Sequence, residues 1–172
     1  VNSLGAGAHT DAQLDGLASL VRMIHTLTGL PTLFLPHLGQ LERDEAHIGD
    51  LEAAHALRDR LDSGFGDALP LVVAPVLPAR QLAWATRGAS VIVATRYHAA
   101  VFGMSAAVPC LVLYQDHYTA VKLRGALDHA GLSAWSLPFD ALRTGLAADA
   151  FAELWSRREE ISSHIRSVTK SW

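Results

Sequence analysis

A chain of 172 residues, half of them apolar and 18% charged, has the length and balance of one ordinary domain that buries a core, which excludes a disordered or fibrous protein. The formal net charge is −3 and the 14 Lys and Arg form no run or stripe, so the electrostatic footprint of nonspecific nucleic-acid binding is absent and nucleic acid is not expected as a partner. The single cysteine, Cys110, lies in an apolar run; it excludes an internal disulfide framework, fits a reducing compartment and is assigned to core packing.

No apolar stretch reaches the roughly 20 residues of a transmembrane helix, and no charged-then-apolar leader precedes residue 30. The expected location is cytoplasmic. The opening "VNSLGAGAHTDAQLDGLASL" starts on what resembles the end of a strand and runs through a loop into a helix. This suggests a fragment whose first strand, or first domain, lies outside the sequence.

Thr10 or Asp11 can cap a helix from about Ala12 to Thr28, on which Leu14, Leu17, Leu20, Val21, Ile24 and Leu27 form an apolar stripe before Gly29. "PTLFLPHL" reads as a short strand, "DEAHIGDLEAAHALRDRLDSG" as a charged amphipathic helix stopped by Gly64, and "LPLVVAPV" as the next strand. The alternation continues with a short helix "LPARQLAWATRGA", a strand "SVIVAT", a helix "HAAVFGMSAA" and a strand "PCLVLYQD". A helix "TAVKLRGALDHAG", a strand "AWSLPF" and one terminal helix from about Ala148 to Lys170 complete the pattern. Continuously apolar strands separated by helices imply burial on both faces and right-handed parallel crossovers, hence a doubly wound, mainly parallel α/β domain in a single unit over residues 1–172.

In such a sheet the ligand lies beyond the carboxyl ends of the strands, where loops feed helix N-termini. These loops span Asn2 to Thr10, Pro36 to Asp44, Ala74 to Pro78, Thr95 to His98 and Tyr114 to Lys122. In "ASVIVATRYHAAVFGMSAAVPCLVLY", Arg96 and His98 sit at one strand-to-helix junction, where amides and the helix dipole favour an anion. A guanidinium adds a fork for carboxylate or phosphate, and an imidazole can move a proton near neutral pH. The structural alternative has Arg96 paired with a buried carboxylate and His98 capping or packing.

Those residues carry a resemblance. "LFLPHL" followed by "ERDE", then "ASVIVATRYHAAVFGMSAAVPCLVLYQD", then "YTAVKLRGALDHAGL", resemble the carboxy-terminal domain of the polysaccharide pyruvyl transferases over about Leu33 to Leu132. The Arg-x-His segment is the specific part; Thr95 stands where that family commonly has serine, and the loop before Lys122 is longer. The resemblance implies a Rossmann-like half of a glycosyltransferase-B-type fold, whose amino-terminal half lies elsewhere. It also implies a reaction, transfer of the enolpyruvyl group of phosphoenolpyruvate onto two sugar hydroxyls of a cell-surface or exopolysaccharide precursor, such as a lipid-linked glycan, giving a pyruvate ketal and phosphate.

On that basis Arg96 and His98 are the expected catalytic pair, with Arg96 holding carboxylate or phosphate and His98 either donating the proton or holding the leaving phosphate. Lys122 would be a point charge on the phosphate, Thr95 keeps the hydroxyl, and His37 after Pro36 could line the cleft. Asn2, Gly5 and Gly7 in the glycine-rich turn before the first helix could cradle phosphate, and Tyr114 and Tyr118 could stack a sugar. Trp84 is read as core or rim. Phosphoenolpyruvate enters as substrate, with no cofactor and no metal expected: His47 and His55 are eight apart, not at the spacing of a helical metal clamp. Two alternatives remain, a nucleotide-sugar glycosyltransferase of the same fold with Asp116 gripping ribose, and a non-catalytic anion- or sugar-binding domain.

Overall fold

The computed structural model describes residues 11–37, 49–62 and 70–169. Along the chain run α1 (Asp11–Thr28), β1 (Thr32–Phe34), α2 (Gly49–Asp62), β2 (Leu71–Val73), α3 (Ala79–Thr86), β3 (Ile92–Ala94), α4 (Tyr97–Ser105) and β4 (Cys110–Tyr114). They are followed by α5 (His117–Asp128), a 3-10 turn (Ser133–Trp135), β5 (Ser136–Pro138), α6 (Ala141–Thr144), α7 (Leu146–Ser156) and α8 (Arg158–Thr169).

Among the described residues every strand pairing is parallel, as the alternation of apolar runs and helices requires. The strands divide into two ladders, β1 with β2 and β3-β4-β5 in that order. β4 is the buried centre: Cys110, Leu111, Val112 and Leu113 are each at most 1% exposed, which explains its unbroken apolar sequence. Leu33 and Val72, register partners in the other ladder, are each 51% exposed, so expected burial on both faces fails for this pair.

Helix α1 joins the halves. Its Leu20 and Ile24 enter the core around β4, while Leu14, Leu17 and Val21 pack with Phe34, Leu57, Leu61 and Leu71 in a second core. Arg60 of α2 clamps the solvent side through ion pairs to Asp11 and Asp15. Gly103 lets α4 lie close to the sheet: a Cβ there would overlap Cys110 Sγ and approach Ile92 Cδ1 to 2.7 Å. Burial pushes the Cys110 thiol up to about 12, so it stays a neutral thiol packed in the core.

Two expectations are corrected. The single terminal helix is two, α7 and α8, broken at Arg157 (φ −103°, ψ 11°), and α6 precedes them after Asp140. Arg157 there pairs with Glu153 and Glu160, so each side of the break is tied to it. Trp84 is 75% exposed and takes no part in the core, because its place on α3 faces away from buried Leu82 and Thr86. Among the described residues, no helix is long and apolar enough to cross a membrane.

Candidate anion-binding site

β1 and β3 end at the same side of the domain, and each ends on residues singled out from the sequence: His37 after β1, and Thr95, Arg96 and His98 after β3. Arg96 is the residue before α4, in extended conformation (φ −113°, ψ 139°), and its side chain makes no cap. The first intrahelical bond runs from the Ala100 amide to the Arg96 carbonyl at 3.3 Å, so the amides of Tyr97, His98 and Ala99 have no carbonyl of their own helix to meet. Aligned amides at a helix N-terminus carry partial positive charge and suit an anion.

The side chain of Arg96 is held by a residue that the sequence reading passed over. Its Nη2 donates to Asp50 Oδ1 at 2.9 Å, and the other carboxylate oxygen, Oδ2, accepts from the His37 backbone N–H at 2.9 Å. Asp50, in the first turn of α2, is 3% exposed; the Arg96 side chain is 21% exposed. The carboxylate thus ties the end of β1 to the end of β3 and fixes the guanidinium. Arg96 Nε is buried and has no hydrogen-bond partner. A buried donor left unmade costs about 1–3 kcal/mol, so an anion that met it would recover that loss.

Asp50 was legible in principle. On α2 the buried positions Asp50, Ala53, Ala54, Leu57 and Leu61 follow helical spacing, so one carboxylate lies on the apolar stripe. An acid on the buried face needs a cation, and Arg96 supplies it.

His98, in the first turn of α4, is exposed, with its ring edge-on to Tyr97 (centroids 5.7 Å apart) and tilted on Phe102 (6.4 Å). His37 is also tilted on Phe102, at 6.0 Å between centroids. Both rings thus gather on Phe102, and His37 also reaches Asp50 through its backbone amide. Burial pulls the His37 ring down to about 4, with the nearby Arg96 charge adding to the effect and Asp50 opposing it. His37 is neutral at physiological pH and offers hydrogen bonding rather than charge. The structural alternative is half realised: Arg96 has its buried carboxylate, whereas His98 neither caps nor enters the core.

The remaining candidates fall elsewhere. Thr95 is half-buried beside Arg96. Tyr114 closes β4, half-buried against the core, its carbonyl accepting from the Phe139 amide at 2.8 Å. Lys122, expected in the loop after β4, lies instead in the second turn of α5, because that helix starts at His117; it is exposed, with its Nζ 4.2 Å from the centroid of the Tyr118 ring. Asn2, Gly5, Gly7 and His47 lie outside the described residues. Asp116 is the N-cap of α5, its Oδ1 accepting from the Thr119 amide at 2.7 Å and the Thr119 hydroxyl at 2.8 Å. These bonds hold its carboxyl below the usual range. One carboxylate oxygen is therefore committed to the helix, which weakens the ribose-gripping alternative. Among the described residues, no group of three or more His, Cys, Asp or Glu could hold a metal ion.

Fold and site together define a Rossmann-like α/β domain that presents a carboxylate-anchored guanidinium and an exposed imidazole at a helix N-terminus. The sequence model of the family "Polysaccharide pyruvyl transferase" matches residues 8–117, more than half of the chain and including the whole of this junction. The chain belongs to the polysaccharide pyruvyl transferase family. No match was found among curated proteins or among solved structures.

Proposed function

We propose that this domain binds phosphoenolpyruvate at the Arg96–His98 junction and forms part of an enzyme that transfers its pyruvyl unit to a sugar. The observation that carries the reading is the fixed Arg96: one nitrogen is committed to Asp50, and its buried Nε–H has no hydrogen-bond partner at the N-terminus of α4. Phosphoenolpyruvate presents a carboxylate and a phosphate on one small frame, which suits a guanidinium, a helix N-terminus and a nearby ammonium. Lys122, held over Tyr118 in the second turn of α5, is the ammonium of this reading.

In the transfer, a proton goes to the methylene carbon and leaves an oxocarbenium-like centre at the phosphate-bearing carbon. One sugar hydroxyl attacks there and loses its proton; phosphate then departs with the bonding electron pair, re-forming the oxocarbenium-like centre, and a second hydroxyl attacks it and loses its proton to close the ketal. His98 is the proton carrier of this reading, because it is exposed and meets the site through the first turn of α4. Arg96 and the amides hold the anion against which charge develops. In this reading the acceptor hydroxyls come from a cell-surface or exopolysaccharide precursor, and in a glycosyltransferase-B-type arrangement a second domain would lie opposite this one.

Titration calorimetry with phosphoenolpyruvate tests the reading, with a nucleotide-sugar as control. Saturable phosphoenolpyruvate binding is expected, weakened about tenfold or more by Arg96→Gln. Binding of the nucleotide-sugar alone, or phosphoenolpyruvate binding unmoved by Arg96→Gln in a folded variant, would overturn it.

A further inference from the structure

Helix α3 turns an indole and two guanidiniums to solvent on one face. Trp84 is 75% exposed, more than any other large hydrophobic residue among those described, while Leu82 and Thr86 hold the opposite side of the helix to the domain. Arg80 lies four residues before Trp84, and Arg87 lies three after it, still in right-handed helical conformation (φ −64°, ψ −24°). Residues at these spacings are neighbours on a helix surface, and both arginines are exposed. The helix rises about 10 Å from Arg80 to Arg87, with Trp84 between them, a span that a short oligosaccharide can bridge.

The charge around this face is of one sign. Between Asp67 and Asp116 the sequence carries no acidic residue, although the whole chain has 17 Asp and Glu against 14 Lys and Arg. Three arginines fall in that interval, Arg80, Arg87 and Arg96. Arg96 finds its counter-ion in Asp50 on another helix. Among the described residues Arg80 and Arg87 have no ion pair or hydrogen bond, and neither a cation nor a second ring is seated on Trp84. The face is complementary to an anion that carries a flat apolar surface.

A saccharide with carboxylates has that chemistry. The C–H groups of a sugar ring lie against an indole, whose N–H can donate to a hydroxyl, and each guanidinium takes a carboxylate through its planar fork. A lipid surface would ask for a broader apolar face than one indole beside Gln81 and two guanidiniums. The chain belongs to a family that acts on polysaccharides, and a transferred pyruvyl group keeps its own carboxylate. We propose that the Arg80–Trp84–Arg87 face of α3 is a binding site for a carboxylate-bearing saccharide, apart from the anion site at the start of α4. The inference rests on the proposed function for the origin of the carboxylate, not for the contact itself. Because α3 packs beside α4, a glycan held there lies one helix away from the junction that carries Arg96 and His98.

Calorimetry with a hexamer of galacturonate tests it, beside the same hexamer with its carboxylates methyl-esterified. Saturable binding is expected for the acid, with the ester about tenfold weaker or more. Trp84→Ala, and separately the pair Arg80→Gln and Arg87→Gln, should each weaken the acid about fivefold or more; all three positions are exposed, so the variants keep the fold. Arg96→Gln should leave hexamer binding in place, and Trp84→Ala should leave phosphoenolpyruvate affinity unmoved. Hexamer binding without any phosphoenolpyruvate binding would sink the proposed function and leave this site standing. The site is overturned by absent hexamer binding, by acid and ester binding alike, by affinity indifferent to the α3 substitutions, by loss with Arg96→Gln, or by phosphoenolpyruvate affinity that falls with Trp84→Ala. Trp84-dependent binding to phosphatidylglycerol vesicles in place of the hexamer would overturn it in favour of a lipid surface.

Discussion

Asp50 and Arg96, 46 residues apart in sequence, form the ion pair that joins the carboxyl ends of β1 and β3. Because Asp50 is almost wholly buried, its charge depends on Arg96 and on the His37 amide for compensation. Asp50→Ala leaves the guanidinium half-buried without its anchor, and since water still reaches Arg96 the loss is expected at or below about 3 kcal/mol. Asp50→Asn keeps an acceptor for the His37 amide and should lose less. Urea unfolding of the two variants checks the order; Asn as costly as Ala would contradict it.

His37 gives stability a pH dependence of defined sign. Its folded value lies at about 4 through burial, below the ordinary value of 6.5, so the unfolded chain takes up a proton before the folded one does. The contribution is complete above the unfolded value and declines as pH falls from about 6.5 toward about 4. His37→Gln removes this slope. The stability gap between wild type and variant, measured by urea unfolding, should therefore shift in the variant's favour at acid pH; a constant gap would contradict the assignment.

Gly103→Ala is expected to destabilise by about 1–3 kcal/mol, because the new methyl overlaps Cys110 Sγ and crowds the Ile92 side chain. A Cys110→Ala change in the same chain should recover part of that loss. Thermal unfolding of the single and double variants measures the recovery, and strict additivity would contradict the packing argument.

Lys122→Ala touches an exposed contact with Tyr118, so stability should change by less than about 1 kcal/mol. Phosphoenolpyruvate affinity should fall about two- to fivefold, the range of a screened point charge. Unchanged affinity by calorimetry would remove Lys122 from the site.

Much of this was legible in the amino-acid order. Apolar runs bounded by helices gave the parallel α/β pattern, and "ATRYH" at a strand end marked the junction that the structure surrounds with His37 and Asp50. Asp50 was hidden because several carboxylates crowd its segment, and only the burial stripe shared with Ala53, Ala54, Leu57 and Leu61 separates it from solvated neighbours. The break at Arg157 left no signal: Ser156, Arg157 and Arg158 include neither Gly nor Pro. The split between β1 and β3 was equally invisible, since strand pairing is set by long-range contacts rather than local pattern.

The most direct measurement is an amide and imidazole NMR titration of the chain with phosphoenolpyruvate, with inorganic phosphate and pyruvate run in parallel. The account expects saturable shifts at Tyr97, His98 and Ala99 and at the His98 ring, larger for phosphoenolpyruvate than for either fragment and weakened by Arg96→Gln. Saturable shifts confined to another strand end, or no response at Tyr97 to Ala99, would contradict it.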